Sequence, residues 1–178
     1  MIYKFGNVYF REILPRDLEP LRIMHNDPKT LSMLTDPTQV TKGMQKKWYE
    51  SLKASLKSKR YAYCIKSNGK EILLGMIRFD QIDKINRNML VGMDVIPNLR
   101  GQGYGSLGFK LILDYCFNRL RMHKATLYTA DYNKVAINLY KKFGFKKEGI
   151  LKEHLLKSGK YYDLYVMSLF ERDYKRSR

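Results

Sequence analysis

The chain has 178 residues and a formal net charge of +17, from 34 Lys and Arg against 17 Asp and Glu. That length suits one domain, residues 1–178, with a sizeable core, and 14 Tyr, 8 Phe and one Trp argue against disorder. No apolar run approaches membrane-spanning length, no basic-then-apolar leader opens the chain, and Cys64 and Cys116 lie inside apolar segments away from metal-ligand spacing; membrane spans, disulfide scaffolds and thiolate metal modules are thus excluded, and a reducing cytoplasm is expected.

The charge has two readings. One is an anionic partner: a nucleotide-type cofactor, an anionic substrate or RNA. The other is a solvated surface, since 22 of the 34 cations are lysine. Either way a polycationic acceptor is repelled on approach.

In chain order, residues 8–14 alternate as a strand that Pro15 ends. Short helices are predicted over 17–25, with Leu18, Leu21 and Met24 on one face, and over 28–34. Thr41 is an N-cap candidate for a helix to about residue 58, with Met44, Trp48, Leu52 and Leu56 as its buried stripe. Residues 61–65 and 72–79 read as a hairpin around Ser67-Asn68-Gly69-Lys70. A loop is expected over 80–88, then a nearly all-apolar strand over 89–96, as for a strand buried on both faces. A helix over 104–120 and a strand over 124–129 follow. Asn133 caps a helix to Lys142 that presents Ala136, Leu139, Tyr140 and Phe143, and Gly144 stops it. Two strands, 145–156 and 161–169, meet at Ser158-Gly159, and a basic tail over 172–178 is expected to fray. The order predicts an α/β class, an α+β mixed sheet with helices on its faces.

The organising stretch is Val95-Ile96-Pro97-Asn98-Leu99-Arg100-Gly101-Gln102-Gly103-Tyr104-Gly105-Ser106. Three glycines between a strand and a helix let a ligand approach the backbone, and a helix N-terminus offers unpaired N–H donors to a phosphate. Arg100 adds a positive charge. A plain strand-to-helix turn is the bland alternative. A dinucleotide fold is another, since Gly101, Gly103 and Ser106 mimic G-x-G-x-x-G. It fits poorly: Pro97-Asn98-Leu99 separate strand from glycines, and position 125 is Ala with no carboxylate close by.

Arg100 to Gly105 also matches R/Q-x-x-G-x-G/A at every defined position, and Asn133-Lys134-Val135-Ala136-Ile137-Asn138-Leu139-Tyr140-Lys141-Lys142-Phe143-Gly144-Phe145 matches N-x-x-A-I-x-L-Y-x-K-x-G-F. Together, in this order, they resemble the GNAT family of N-acetyltransferases over about residues 8–170. Gly149-Ile150-Leu151 and 159–163 are similar to the subgroup acting on ribosomal-protein and other protein N-termini, polyamines and amino-sugars.

The resemblance implies a mostly antiparallel twisted sheet of about seven strands, splayed at a cofactor slot. It implies direct transfer of acetyl from acetyl-coenzyme A to a primary amine, with no metal. Cofactor contacts fall on the backbone of Val95 and Ile96, on Arg100, Gly101, Gln102, Gly103, Tyr104, Gly105 and Ser106, and on Asn133, Asn138 and Lys142. A backbone N–H of Val95 or Ile96 is the oxyanion donor. Tyr140 holds the general-acid position, against a plain core tyrosine. For the base, Asp94 is either the base or a structural partner, with Glu148, Glu153 and water as further choices, because the usual acidic positions before the glycine loop are apolar here. His25, Asp27 and Glu148 are weak acceptor contacts. His123 and His154 read as surface residues.

The expected acceptor is an anionic small molecule or sits on an anionic assembly, an amino-sugar nucleotide or a protein N-terminal amine. A polyamine or another small amine is the alternative, and a non-catalytic RNA-associated binder is the reading from another class. Pairing of the C-terminal sheet edge between two copies would give a homodimer.

Overall fold

The computed structural model describes residues 1–52 and 54–176. Eight strands form one sheet: β1 (Tyr3–Phe5), β2 (Val8–Glu12), β3 (Lys59–Ser67), β4 (Lys70–Asp83), β5 (Asn88–Val95), β6 (Lys124–Ala130), β7 (Lys146–Lys157) and β8 (Lys160–Phe170). Their order is β1-β2-β3-β4-β5-β6-β8-β7. Every neighbouring pair is antiparallel except β5 with β6. Among the described residues six α-helices accompany them: α1 (Leu18–Asn26), α2 (Pro28–Leu31), α3 (Lys42–Ser51), α4 (Tyr104–Asp114), which a π-helical turn (Tyr115–Arg119) continues, α5 (Lys134–Lys142) and α6 (Glu171–Arg176).

Period-two alternation divides the side chains between two faces. Val8, Phe10, Tyr61, Tyr63, Ile77 and Phe79 join the larger core with Phe109, Leu111, Ile112 and Leu113 of α4. Tyr9, Ala62 and Cys64 point the other way, to Leu21 and Met24 of α1 and the partly buried Trp48 and Leu52. Each fully buried Phe or Leu contributes about 1.5–3 kcal/mol, so α4 is the most strongly held helix. It also sits close: a Cβ on Gly108 would lie 2.4 Å from Met93 Cε on β5. Both cysteines are buried and free.

The structure departs from the expected elements chiefly in four places, and β5, expected to be buried on both faces, fully buries only Met89 and Val91. The short β1, paired with β2, was not anticipated and brings the count from about seven strands to eight. The helix predicted to reach residue 58 stops at Ser51; Leu52 N–H bonds back only three residues, to Tyr49 O, and β3 begins at Lys59. Its stripe is buried only in part: Trp48 and Leu52 pack against the α1 side of the sheet, while Met44 is 45% and Leu56 87% exposed. The predicted loop over 80–88 is mostly strand, since β4 runs on to Asp83 through a register shift, with Gln81 left-handed (φ 47°). Its polar look reflects one solvent-facing side. The tail expected to fray begins as α6, anchored by Tyr174 against Phe117 at 5.1 Å between rings; residues 177 and 178 lie outside the described residues.

One ionic knot, buried at Arg11 and Asp17 and open to solvent at Glu71 and Arg16, ties β2 to β4 and the turn before α1. The Arg11 guanidinium bonds Asp17 Oδ2 at 2.6 Å and Glu71 Oε1 at 2.6 Å, and Arg16 Nη2 reaches Glu71 Oε1 at 2.9 Å. The hydrogen bond from Arg11, foremost, pulls the Glu71 carboxyl down from 4.5 to about 2. A folded-state pKa below the unfolded one gives stability that is complete above the unfolded value and lost as pH falls through the folded one. Glu71→Gln is expected to lower Tm at pH 7 and to flatten its fall between pH 4.5 and about 2; thermal melts across that window check it, and an unchanged acid slope would remove Glu71 from the account.

Candidate active site

The parallel strands β5 and β6 pair only at Asn88↔Lys124, Met89↔Ala125 and Leu90↔Thr126. Beyond Leu90 they diverge, although β5 continues to Val95 and β6 to Ala130. A cleft of about 790 Å³ fills the gap. It opens toward α2 and its following loop on one face, and toward α4 and α5 on the other.

The backbone bordering that gap is polar and directed. Ile96 N–H donates to Leu74 O at 2.9 Å, so it is committed to β4. In an antiparallel ladder consecutive residues face opposite sides. The N–H and C=O of Val95 therefore point into the gap, and Val95 O accepts from Arg100 Nε at 2.9 Å. The expected choice between Val95 and Ile96 as an amide donor narrows to Val95, because the Ile96 amide is already bonded and its side chain packs on the opposite core.

Beyond Val95 the chain makes a tight turn, Pro97–Leu99, and reaches the glycines. Gly101 and Gly103 have φ of +78° and +85°, and an added Cβ at either would meet nothing within 4 Å. The left-handed backbone, not crowding, is what asks for glycine there. The first α4 bond of helical type is Leu107 N–H to Gly103 O at 3.1 Å. The amides of Tyr104, Gly105 and Ser106 precede it and have no helical acceptor. Gln102 Nε2 turns back to Asn98 O at 3.0 Å, and Tyr104 O accepts from the Tyr63 hydroxyl at 2.9 Å. Arg100 is less free than the sequence implies. Its Nη2 donates to Thr30 Oγ1 at 2.6 Å and its Nη1 lies 3.9 Å from Asp27 Oδ1, so it straps α2 to the glycine turn.

The opposite wall is α5. Asn133 Oδ1 caps it, accepting from Ala136 N–H at 3.2 Å, which leaves the side-chain NH2 to donate elsewhere. Asn133, Ala136, Leu139 and Tyr140 line the cleft. Tyr140 is half-buried, its ring 5.1 Å from Phe109 and 6.0 Å from Phe145. Burial, foremost, pushes its hydroxyl up to about 12, with the Arg78 guanidinium opposing and the Asp94 carboxylate adding. It stays protonated at neutral pH. Asn138 and Lys142 do not line the cleft; both are exposed.

On the α1–α3 side of the cleft stand residues the sequence reading passed over. Arg78 Nη1 donates to Asp94 Oδ2 at 2.9 Å, and Arg60 Nη1 lies 2.8 Å from Asp80 Oδ1. Arg60 and Arg78 face each other across β3 and β4. Only the register brings them together, and register is not visible in the i, i+2 spacing of Arg78 and Asp80. Asp94 is thus paired with Arg78 through Oδ2. The weak acceptor candidates lie apart from the lining. His25 Nε2 is 2.9 Å from Thr38 O, Asp27 caps α2 through Thr30 N–H, and Glu148 is bound to Lys124 at 2.7 Å and Ser168 at 2.8 Å. Among the described residues no three His, Cys, Asp or Glu are grouped to hold a metal ion, and no helix is long and apolar enough to cross a membrane.

Residues 7–146 match the family model described as an acetyltransferase (GNAT) domain. Spermidine N(1)-acetyltransferase of Vibrio cholerae serotype O1 is 31% identical over 102 residues, 57% of this chain and 59% of that protein, so the chain spans under two thirds of that relative's length. The L-amino acid N-acetyltransferase AaaT of Escherichia coli K12 is 27% identical over 92% of this chain and 98% of its own. A crystal structure of spermidine N-acetyltransferase from Vibrio cholerae, in complex with CoA and spermine, superposes with a TM-score of 0.86 at 24% identity, covering 95% of this chain and 98% of that one.

Proposed function

This chain belongs to the GNAT acetyltransferase family, and from that premise we propose that it moves an acetyl group from acetyl-coenzyme A directly to the primary amine of a small molecule. The observation that carries the reading is the gap between β5 and β6, which runs from outward-facing amides to a protonated tyrosine. A slot of polar backbone ending on a glycine turn fits an extended thioester carrier with a diphosphate. In this reading acetyl-coenzyme A supplies the activated acetyl group.

The chain's own residues do the rest. The amides over 101–106 and the α4 N-terminus bind the diphosphate. Val95 N–H stabilises the oxygen on which negative charge develops. The Tyr140 hydroxyl donates to the leaving sulfur, and Asn133 donates its side-chain N–H from the second wall. Asp94 holds Arg78 through Oδ2 and is assigned to positioning; the amine's proton passes to water in the open cleft.

For the acceptor, the relatives' names support a small-molecule amine, spermidine in one case and an L-amino acid in another, better than the amino-sugar nucleotide or protein N-terminus expected from the sequence. Thermal shift tests the cofactor half. Acetyl-coenzyme A at a hundredfold excess over Kd is expected to raise Tm by roughly 5–10 °C, from about 2.7 kcal/mol of linkage, while nicotinamide dinucleotides leave it unmoved. The reverse pattern would end this reading.

A further inference from the structure

We propose that the acceptor amine carries an anionic group, a carboxylate or a phosphate, and that Arg60 and Arg78 recognise it. The inference rests on the acetyl-transfer reading of the same cleft and says which amines enter it.

The argument starts from a costly arrangement. Arg60 and Arg78 are directly opposite in the β3–β4 register, and like charges so placed repel. Asp80 and Asp94 offset that repulsion, one carboxylate to each guanidinium. Neither carboxylate saturates its arginine. A guanidinium has five N–H donors in a fixed fork. Arg78 gives Nη1 to Asp94, and Arg60 gives Nη1 to Asp80 and to the carbonyls of Lys59 and Phe79. The Nε and Nη2 donors of both have no further hydrogen-bond partner among the described residues. That fork is the shape a carboxylate or phosphate takes up in pairs.

The backbone under Arg78 is kept bare. A Cβ on Gly92 would lie 2.9 Å from Arg78 Nη2 and 3.0 Å from Nε. Glycine at that position lets the guanidinium lie across β5 to meet Asp94, inside the cleft that Gly92 and Arg78 both line. Arg78 is also close enough to act on the Tyr140 hydroxyl, so an anion held there keeps its amine near the proposed acid.

The same residues speak against a polyamine. Asp80 and Asp94 are the only carboxylates among the described lining residues, and both are in ion pairs. Lys29 and Arg100 add further positive charge to the lining, and the whole chain carries +17. A tri- or tetra-cation finds no free carboxylate there and is repelled on approach. An amine bearing an anionic group is attracted, and its own cation is local.

The test uses the whole chain with acetyl-coenzyme A and matched amines, reading release of the coenzyme A thiol. The panel pairs an α-amino acid with its amide, and an aminoalkyl phosphate with the corresponding amino alcohol; spermidine is the third arm. The anion-bearing member of one pair is expected to exceed its neutral partner in kcat/KM by about tenfold or more, as charge-assisted bidentate contacts allow, and the pair that does so tells carboxylate from phosphate. Calorimetry of the same amines on the coenzyme A complex reads binding without turnover. Arg78→Gln is expected to erase the preference in both readouts. Gly92→Ala, which displaces the guanidinium without deleting it, is expected to weaken the preference at nearly wild-type Tm. Spermidine as the best substrate, or equal rates and affinities within both pairs, would overturn the proposal. Arginine-dependent binding of an anionic amine with no acetylation of any amine would instead sink the transferase reading and leave only an anion site at Arg60 and Arg78.

Discussion

Tyr140→Phe is expected to bind acetyl-coenzyme A as the parent does and to lose about a hundredfold to ten-thousandfold in kcat, the range one positioned proton donor supplies. The substitution removes one oxygen. No hydrogen bond from the Tyr140 hydroxyl to another described residue holds the fold, and the ring contacts with Phe109 and Phe145 survive. Phenylalanine is therefore expected to keep Tm and the cofactor-induced Tm shift while the departing sulfur loses its donor. The two measurements must separate: thiol release falls and thermal shift stays. If kcat drops less than about threefold, less than any proton donor in this range supplies, Tyr140 is a core residue that borders the cleft and no more.

The alkaline side of the pH profile carries a second, independent check on the same hydroxyl. An acid works only while protonated, and burial has raised this one to about 12. Its protonated form thus persists through pH 10, and the rate is not expected to fall on its account as the pH rises to that point. Deprotonation of the attacking amine makes the rate climb instead. A descending limb near pH 9 that vanishes in Tyr140→Phe would mean that bound substrates lower the phenol far below about 12.

What the sequence discloses and what it hides divide along one physical line. Local signals survive folding. The Gly101 and Gly103 turn adopts the left-handed backbone that its composition demands, Asn133 caps α5, and Gly144 follows it at φ +88°. The alternation of Val8, Phe10, Tyr61 and Tyr63 points to the larger core as it should. Contacts made by register do not survive being read one residue at a time. Arg60, Arg78 and Asp80 come from what the sequence presents as ordinary polar positions, and they form a cleft wall only because β3, β4 and β5 align as they do. Arg100 shows the same limit from the other side. Its motif position is recognisable, yet Thr30, 70 residues earlier, is what its Nη2 meets. The stripe at Met44, Trp48, Leu52 and Leu56 is a local pattern that topology keeps only in part: Trp48 and Leu52 meet the core, while Leu56 lies beyond the helix that ends at Ser51.

Gly75→Ala is expected to have the largest effect on the fold of any single methyl group placed near the site. A Cβ there would lie 1.9 Å from Asp94 O and 3.1 Å from Val95 Cα, both backbone atoms of the neighbouring strand. No rotamer relieves such an overlap, so β4 and β5 must separate where they pair as Gly75↔Val95. Overpacking of this kind costs about 3 kcal/mol or more, a fall in Tm of roughly 6–12 °C for a chain of this length. The site suffers with the fold. The bond from Ile96 N–H to Leu74 O holds β5 to β4 and thereby turns Val95 outward; once it slackens, the Val95 amide loses its aim into the gap. Acetyl-coenzyme A is accordingly expected to restore less Tm to this variant than it adds to the parent. Gly92→Ala is the control, because the methyl there meets only the end of the Arg78 side chain and leaves the strands paired. Equal cofactor-induced shifts in Gly75→Ala and parent would show that the outward turn of Val95 does not depend on the β4–β5 contact, and would withdraw Val95 as the amide that meets the thioester oxygen.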